Sequence, residues 1–464
     1  MKNKLLSKLL SKLLRAVNII MIFFLLFNLS SCGLFRKSIK NKLDQLNKYP
    51  GVNAKNNKIA SEPPIVLLNK YKLLHFVDSN NNSVAIAIAV SGGGYRASNF
   101  ALGVMSGLEE IKIKKTNKNL LQQVNYFSSV SGGGFAVGFY LSQYSKYLHE
   151  LNIDGKLVKD KFSLRKAISE DINNKNLINQ DLQQKFINFK SNNKSAFPVD
   201  LQSGILSRGD KLPPLTLGNI FINKSSRVKP SLPLWVVNST VFQNFSIFPF
   251  SPGVLSDYKV SGYYWNKNLK LINNYNNFPM AFAVASSASF PVVLPSMTLA
   301  SSACDKKCYL QLYDGGLTDN LGVLSALSLL SQDKSHTKIL IVIDSVQVKD
   351  QAYSKNQTGP GIVKLLWSSL NSSPNHMHIA VEGFMKRGFR EFLCSSSSGV
   401  FLTYISLKDY KNLKEVPTSL HLTPENQKYL LKAGNELVKE NADIIKITEF
   451  LNGNNKLGRC DKHK

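Results

Sequence analysis

Beyond the N-terminal segment, apolar residues run together at Val84-Ala85-Ile86-Ala87-Ile88-Ala89-Val90, with no polar position among them. An unbroken run of this length predicts a strand buried on both faces. It leads into Ser91-Gly92-Gly93-Gly94, after which Phe100, Val104 and Leu108 recur at a spacing of four and predict a helix. A second strand-like run, Val124 to Val130, ends at Ser131-Gly132-Gly133-Gly134, and another helix is predicted from Phe135 through Tyr140 and Leu141. Two strand–glycine–helix units in tandem predict a parallel sheet of the α/β class. Order is also predicted at Pro233 to Val241 and at Phe278 to Leu299. Ile339 to Ile343, ending at Asp344, has the signature of another buried strand, and Phe401 to Leu407 reads as a late one. Thr423-Pro424 supplies an N-cap and a first-turn proline to one terminal helix, with Leu430, Leu431, Leu437, Ile444 and Ile445 among its apolar positions.

Polar stretches divide the rest. Residues 150 to about 230 are dominated by Asn, Lys, Gln and Ser and read as an insertion, a candidate lid, within a catalytic domain spanning 63–452. Residues 32–62 read as a polar tether and 453–464 as a basic tail. At the front, Lys2, Lys4, Lys8, Lys12 and Arg15 precede an apolar run from Ile19 to Phe27. A basic start followed by a short apolar run and small residues is the pattern of a secretory signal, too short for a comfortable membrane span. Its ending, Leu29-Ser30-Ser31-Cys32, resembles the lipobox of bacterial lipoproteins. That resemblance implies cleavage after residue 31, lipidation of Cys32, and attachment to the cell envelope. The absence of an Asp directly after the cysteine favours the outer membrane.

Composition narrows the classes. The 464 residues, 43% hydrophobic and 10% aromatic, are enough for a large core and exclude a disordered chain or a disulfide-stapled mini-protein. A mean hydropathy of -0.11 excludes a polytopic membrane protein. Lys and Arg number 58 against 30 Asp and Glu, a formal charge of +28. These charges are dispersed, without basic blocks or Arg–aromatic interleaving, so they favour an anionic membrane surface over a nucleic-acid groove. Beyond Cys32, the cysteines are Cys304, Cys308, Cys394 and Cys460. In an exported chain they suggest two disulfides, with Cys304 and Cys308 pinning a loop and Cys394 with Cys460 tying down the C-terminal tail; a zinc site is the alternative.

Three segments carry candidate chemistry. Ser131 stands at a predicted strand-to-helix turn in Ser129-Val130-Ser131-Gly132-Gly133, the arrangement of a nucleophile elbow, usually G-x-S-x-G, with Ser129 in place of the first glycine. Gly92, Gly93 and Gly94 follow a buried strand, so their backbone N–H groups are able to converge on an anion, with Arg96 just inside the next helix to bind a phosphate headgroup or brace the loop. No Lys-Ser or Lys-Thr follows, and no third glycine falls at the dinucleotide offset, which disfavours nucleotide binding. Asp314 precedes Gly315-Gly316, a tight turn able to present a general base to a serine; Asp319 and Asp344 are rivals. The histidines, His376 and His378 included, fall in no recognisable catalytic or metal motif. Trp235, Phe245, Phe248 and Phe250 suit a membrane-held substrate but are read first as core.

Taken in order, Ser91-Gly92-Gly93-Gly94-Tyr95-Arg96, Ser131 in its elbow, and Asp314-Gly315-Gly316 with Asn320 downstream resemble the patatin-like phospholipase superfamily, which includes the cytosolic phospholipase A2 catalytic domain. Ala285 to Pro291 is a softer match to the segment before the catalytic aspartate. The resemblance covers roughly residues 84–345, apart from the insertion. It implies a single α/β/α domain with a mainly parallel central sheet. It also implies a Ser131–Asp314 dyad without histidine, an oxyanion loop at Gly92–Gly94, and hydrolysis of phospholipid or lysophospholipid esters without a cofactor or metal. Membrane lipids would then be both substrate and anchor, and a protein activator is an open partner. The competing readings are an acyltransferase using the same dyad and a non-catalytic envelope lipoprotein on a hydrolase scaffold.

Overall fold

A computed structural model describes residues 84–153, 162–173, 196–209, 212–221, 232–265, 268–291, 294–303, 308–347, 400–419, 422–454 and 457. The signal segment, Cys32, the tether, Cys304, His376, His378, Cys394, Cys460 and most of the basic tail lie outside these residues. The main sheet comprises β1 (Val84–Val90), β2 (Tyr126–Val130), β3 (Leu234–Val241), β4 (Ser246–Pro249), β5 (Val260–Trp265), β6 (Asn268–Leu271), β7 (Met297–Ser301), β8 (Cys308–Asp314), β9 (Thr337–Asp344) and β10 (Val400–Ser406). Their order is β10-β9-β1-β2-β3-β8-β7-β5-β6, with β4 folding back on β3 as a hairpin.

The first five strands of that order are parallel, and β8, β7, β5 and β6 continue the sheet antiparallel. Two strand textures follow. The parallel strands are near-continuous buried runs, as in Ile339 to Ile343 of β9. Strand β8 instead alternates, with Leu310 and Leu312 buried between half-exposed Tyr309, Gln311 and Tyr313. That is the pattern of a sheet with one face in the core and one turned outward.

Helices flank the sheet in an α/β/α arrangement. They include α1 (Gly94–Glu110), α2 (Gly132–Ile153), α3 (Met280–Ser287), α4 (Val323–Gln332), α5 (Pro424–Glu440) and α6 (Ala442–Leu451). Phe100, Val104 and Leu108 of α1 are buried, as their spacing predicts. Helix α1 packs along α5 closely enough that a Cβ on Gly103 would lie 2.3 Å from the Leu431 carbonyl oxygen.

Two expectations need revision. The single terminal helix is two: Thr423 caps α5 through its hydroxyl, but Asn441 then turns extended and its side chain accepts from the Asp443 and Ile444 amides to start α6. Ile445 is consequently exposed. The stretch read as a polar insertion also contributes core. Phe197, Leu201, Leu206, Leu217 and Phe221 are buried, and Leu206 fills the space beside Gly138 of α2.

The registers explain how distant residues meet. Ser129 of β2 lies beside Val90 of β1, Asn238 of β3 beside Val130, and Asp314 of β8 beside Ser239. Three chain segments thus end at one edge of the sheet, where the two glycine loops and the Asp314 turn emerge.

Candidate active site

Ser131 occupies the residue between β2 and α2 with φ of 50°, left-handed and unfavourable for a side chain other than glycine. Local contacts hold it there. Its amide donates to Ser287 Oγ at 2.8 Å, and Ser287 in turn donates to the Asn238 carbonyl at 2.5 Å. Its own carbonyl accepts the Gly134 amide in the first turn of α2. The neighbouring glycines are required by space: a Cβ on Gly132 would lie 1.9 Å from the Gly94 carbonyl oxygen, and one on Gly133 would lie 2.6 Å from that of Ser91. The position that departs from the elbow pattern is also accounted for. Ser129 is buried, and its hydroxyl accepts the Trp235 indole N–H at 2.8 Å. The sheet thus supplies a donor to the hydroxyl that replaces the usual glycine.

Ser131 Oγ donates to Asp314 Oδ2 at 2.7 Å, and both residues are buried. The other carboxylate oxygen accepts the Gly316 amide at 2.8 Å. Thr240 Oγ1 donates to the Asp314 carbonyl and the Asp314 amide donates to Ser289, so the backbone is fixed on both sides. Burial pushes the Asp314 carboxyl up to about 6, against the Ser131 and Gly316 hydrogen bonds that pull it down. The rival carboxylates are engaged elsewhere. Asp319 accepts the Leu321, Gly322 and Leu324 amides at the start of α4. Asp344 accepts from Tyr404 and Ser406 and from the Val346 amide. Among the described residues, no histidine hydrogen-bonds to Ser131 or Asp314.

The loop after β1 lies against this pair. The three glycines differ in what their amides do. Gly92 N–H donates to the Asn320 carbonyl at 2.9 Å and is therefore occupied. Gly93 and Gly94 have φ of 136° and 59°, and their amides have no acceptor among the described residues. Ser345 Oγ donates to the Gly92 carbonyl, and the Ser345 amide donates to Ser91 Oγ, tying the loop to the end of β9. The Arg96 guanidinium lies close to Gly93 and donates to the Val416 carbonyl at 3.2 Å. Burial lowers its pKa to about 10, while Asp344 and Glu415 push it back up, so it stays charged at neutral pH.

Asn238 was not singled out as a site residue by the sequence, and Ser287 entered only as part of the Ala285–Pro291 match. Asn238 joins three elements, donating to Ser128 Oγ and the Ser129 carbonyl and accepting from Ser325. Its signal was an amide side chain at the point where the apolar run Leu234–Val237 of β3 gives way to polar residues. Of the aromatic set, Trp235, Phe248 and Phe250 are core, but Phe245 is exposed. Cys308 is disulfide-bonded, with its partner outside the described residues. Among the described residues, no group of three or more His, Cys, Asp or Glu is placed to hold a metal ion, and no helix is long and apolar enough to cross a membrane.

The family model for patatin-like phospholipases matches residues 88–327, which contain the glycine loop, Ser131 and Asp314. The chain belongs to the patatin-like phospholipase family. Among solved structures it is similar to human GIVD cytosolic phospholipase A2, at 13% identity and a TM-score of 0.36 over 80% of this chain and 60% of that one. It is also similar to the same human enzyme with methyl gamma-linolenyl fluorophosphonate, at 13% identity and a TM-score of 0.39 over 84% and 64% of the two chains. A third structure, of the human enzyme with that inhibitor and terbium chloride, gives 12%, 0.38, 84% and 62%. The chain thus spans less than two thirds of the length of these structures. No curated protein matches it. Membership of the patatin-like phospholipase family supports lipid hydrolase activity in general.

Proposed function

We propose that this protein is a phospholipase A or lysophospholipase that cleaves a carboxylic ester through Ser131 and Asp314. The observation that carries the reading is the 2.7 Å hydrogen bond from Ser131 Oγ to a buried carboxylate, beside a loop with two uncommitted amides. Asp314 takes the hydroxyl proton as Ser131 Oγ attacks the ester carbonyl carbon. The oxyanion is received by the N–H groups of Gly93 and Gly94; Gly92 is left out of that role because its amide already serves Asn320. The tetrahedral adduct collapses, the proton passes from Asp314 to the departing alcohol oxygen, and an acyl-serine remains. Water then adds to the acyl carbon, giving a proton to Asp314; the second adduct collapses, Asp314 returns that proton to the departing Ser131 Oγ, and a fatty acid is released.

Arg96, bonded to Val416 and close to Asp344, supports the loop in this scheme and does not grip a headgroup. The lipobox-like ending at Cys32 and the disulfide-bonded Cys308 favour export to an oxidising compartment and lipid attachment to the envelope, with the outer membrane as the preferred site.

The test is fatty-acid release from phospholipid vesicles by wild type, Ser131→Ala and Asp314→Asn. Release by wild type with both variants at background is expected. Equal release by all three would overturn the assignment.

A further inference from the structure

The hairpin joining β3 to β4 rises past the candidate active site. Asp314 pairs with Ser239, and Phe242 lies three residues farther along, so the hairpin tip stands roughly 10 Å beyond the dyad at about 3.3 Å per residue. At that tip Phe242 is 52% exposed and Phe245 59%. Their rings are 5.8 Å apart, and Phe242 also lies 5.4 Å from Tyr313, the residue before Asp314. Phe245 has a left-handed φ of 52°.

The tip continues into a surface. Tyr313, Gln311 and Tyr309 alternate outward along β8, and Tyr264 of β5 meets Tyr309 at 6.0 Å. Leu269 and Leu271 of β6 are 45% and 72% exposed. Four of the most exposed large apolar side chains among the described residues therefore belong to this antiparallel end of the sheet. Tyrosines with apolar bodies and polar tips, beside exposed Phe and Leu, suit a boundary between hydrocarbon and water. The sequence around these strands is basic, and Lys259 and Lys270 are exposed. Between Asp210 and Asp305 the only carboxylate is Asp257, against Lys211, Lys224, Arg227, Lys229, Lys259, Lys267 and Lys270. A segment this depleted in acid is drawn to anionic headgroups.

We propose that Phe242 and Phe245 seat the active-site mouth in an anionic phospholipid bilayer, with the β5–β6–β8 face resting on the headgroups. This rests on the hydrolase reading for its purpose, since an ester buried in a bilayer has to reach a serine held below a rim. It does not rest on that reading for its test.

The first arm uses full-length Ser131→Ala protein carrying Phe245→Trp, on vesicles of phosphatidylglycerol and phosphatidylcholine with brominated acyl chains. The added indole is expected to be quenched at least twofold more than an indole placed by Ile445→Trp, a position of similar exposure on α6. Equal quenching at the two positions overturns the proposal whether or not the protein is an enzyme. The second arm compares hydrolysis of vesicles with hydrolysis of a monomeric short-chain ester. In Phe242→Ser/Phe245→Ser the ratio of vesicle to monomer rate is expected to drop about tenfold, and Phe242→Leu/Phe245→Leu to restore it. A fall of both rates in step overturns docking in favour of damage to the site. A wild type inert on both substrates sinks the hydrolase reading and leaves the quenching arm to decide docking alone.

Discussion

The indole N–H of Trp235 donates to the hydroxyl of Ser129 at 2.8 Å, two residues before Ser131, and both partners are fully buried. The bond explains why a serine stands where an elbow usually has glycine. The hydroxyl answers a donor that would otherwise be stranded in the core. Ser129→Ala should therefore destabilise the protein by about 1–3 kcal/mol, the cost of leaving a buried polar group unpaired. Ser129→Gly, which restores the common pattern, should fare no better. Urea midpoints measure this, and an unchanged midpoint for Ser129→Ala would mean that the bond contributes nothing.

Burial raises the Asp314 carboxyl from 3.8 to about 6. A general base has to be ionised, so kcat/KM is expected to decline below about pH 6. Stability follows from the same shift. The folded state holds this proton more tightly than the unfolded chain, so the group's contribution is full below about pH 4 and is lost as pH rises through about 6. Asp314→Asn cannot ionise and escapes that loss. Relative to wild type it should gain on the order of 3 kcal/mol between pH 4 and pH 7. A difference between the two proteins that stays flat over this range would show that the carboxyl is not shifted.

Much of the frame was legible because it is written in long apolar runs. Ala85 to Val90 and Ile339 to Ile343 are buried on both faces, a condition that leaves no polar residue to confuse the reading. Ser131 and Asp314 were legible through their glycines, which are there for close approach: a Cβ on Gly315 would lie 2.2 Å from the Asn238 carbonyl oxygen. Asn238 was not, since a polar residue that fastens three buried segments has the same composition as one on the surface. The helices Ala196–Ser203 and Leu217–Phe221 escaped notice because they are too short for a period to accumulate. The status of Gly92 was out of reach as well, since it depends on where the Asn320 carbonyl ends up.

Gly132 is the contact between the two glycine loops. With no Cβ it lets the start of α2 approach the Gly94 carbonyl, and an alanine there would place carbon 1.9 Å from that oxygen. The obstacle is backbone, so the loops have to separate. Gly132→Ala is expected to cost about 1–3 kcal/mol as an overpacked site. Its larger effect should be on rate, about a hundred- to a thousandfold, because displacing the loop misaligns the amides of Gly93 and Gly94. Gly134→Ala is the control, since its nearest neighbour, Ser129 Oγ, would lie at an ordinary 3.5 Å. Comparable rates for the two variants would separate the oxyanion amides from this contact.

Asp319 and Asp314 are five residues apart, both buried, and both pushed up to about 6 by burial. The shift therefore does not tell base from brace, and the partners do. Asp319 spends its carboxylate on the amides that open α4, the work of a helix cap, whereas Asp314 faces a hydroxyl. Asp319→Asn gives up capping in the range of about 1–2 kcal/mol, set against the same relief from ionisation that Asp314→Asn gains as pH rises through about 6. Its rate per folded molecule should stay within a few-fold of wild type. Asp314→Asn should instead lose ester hydrolysis, with stability kept or raised at neutral pH. Activity counted against the folded fraction, measured for both variants at one pH, separates the roles. If Asp319→Asn is the inert one, the base has been assigned to the wrong carboxylate.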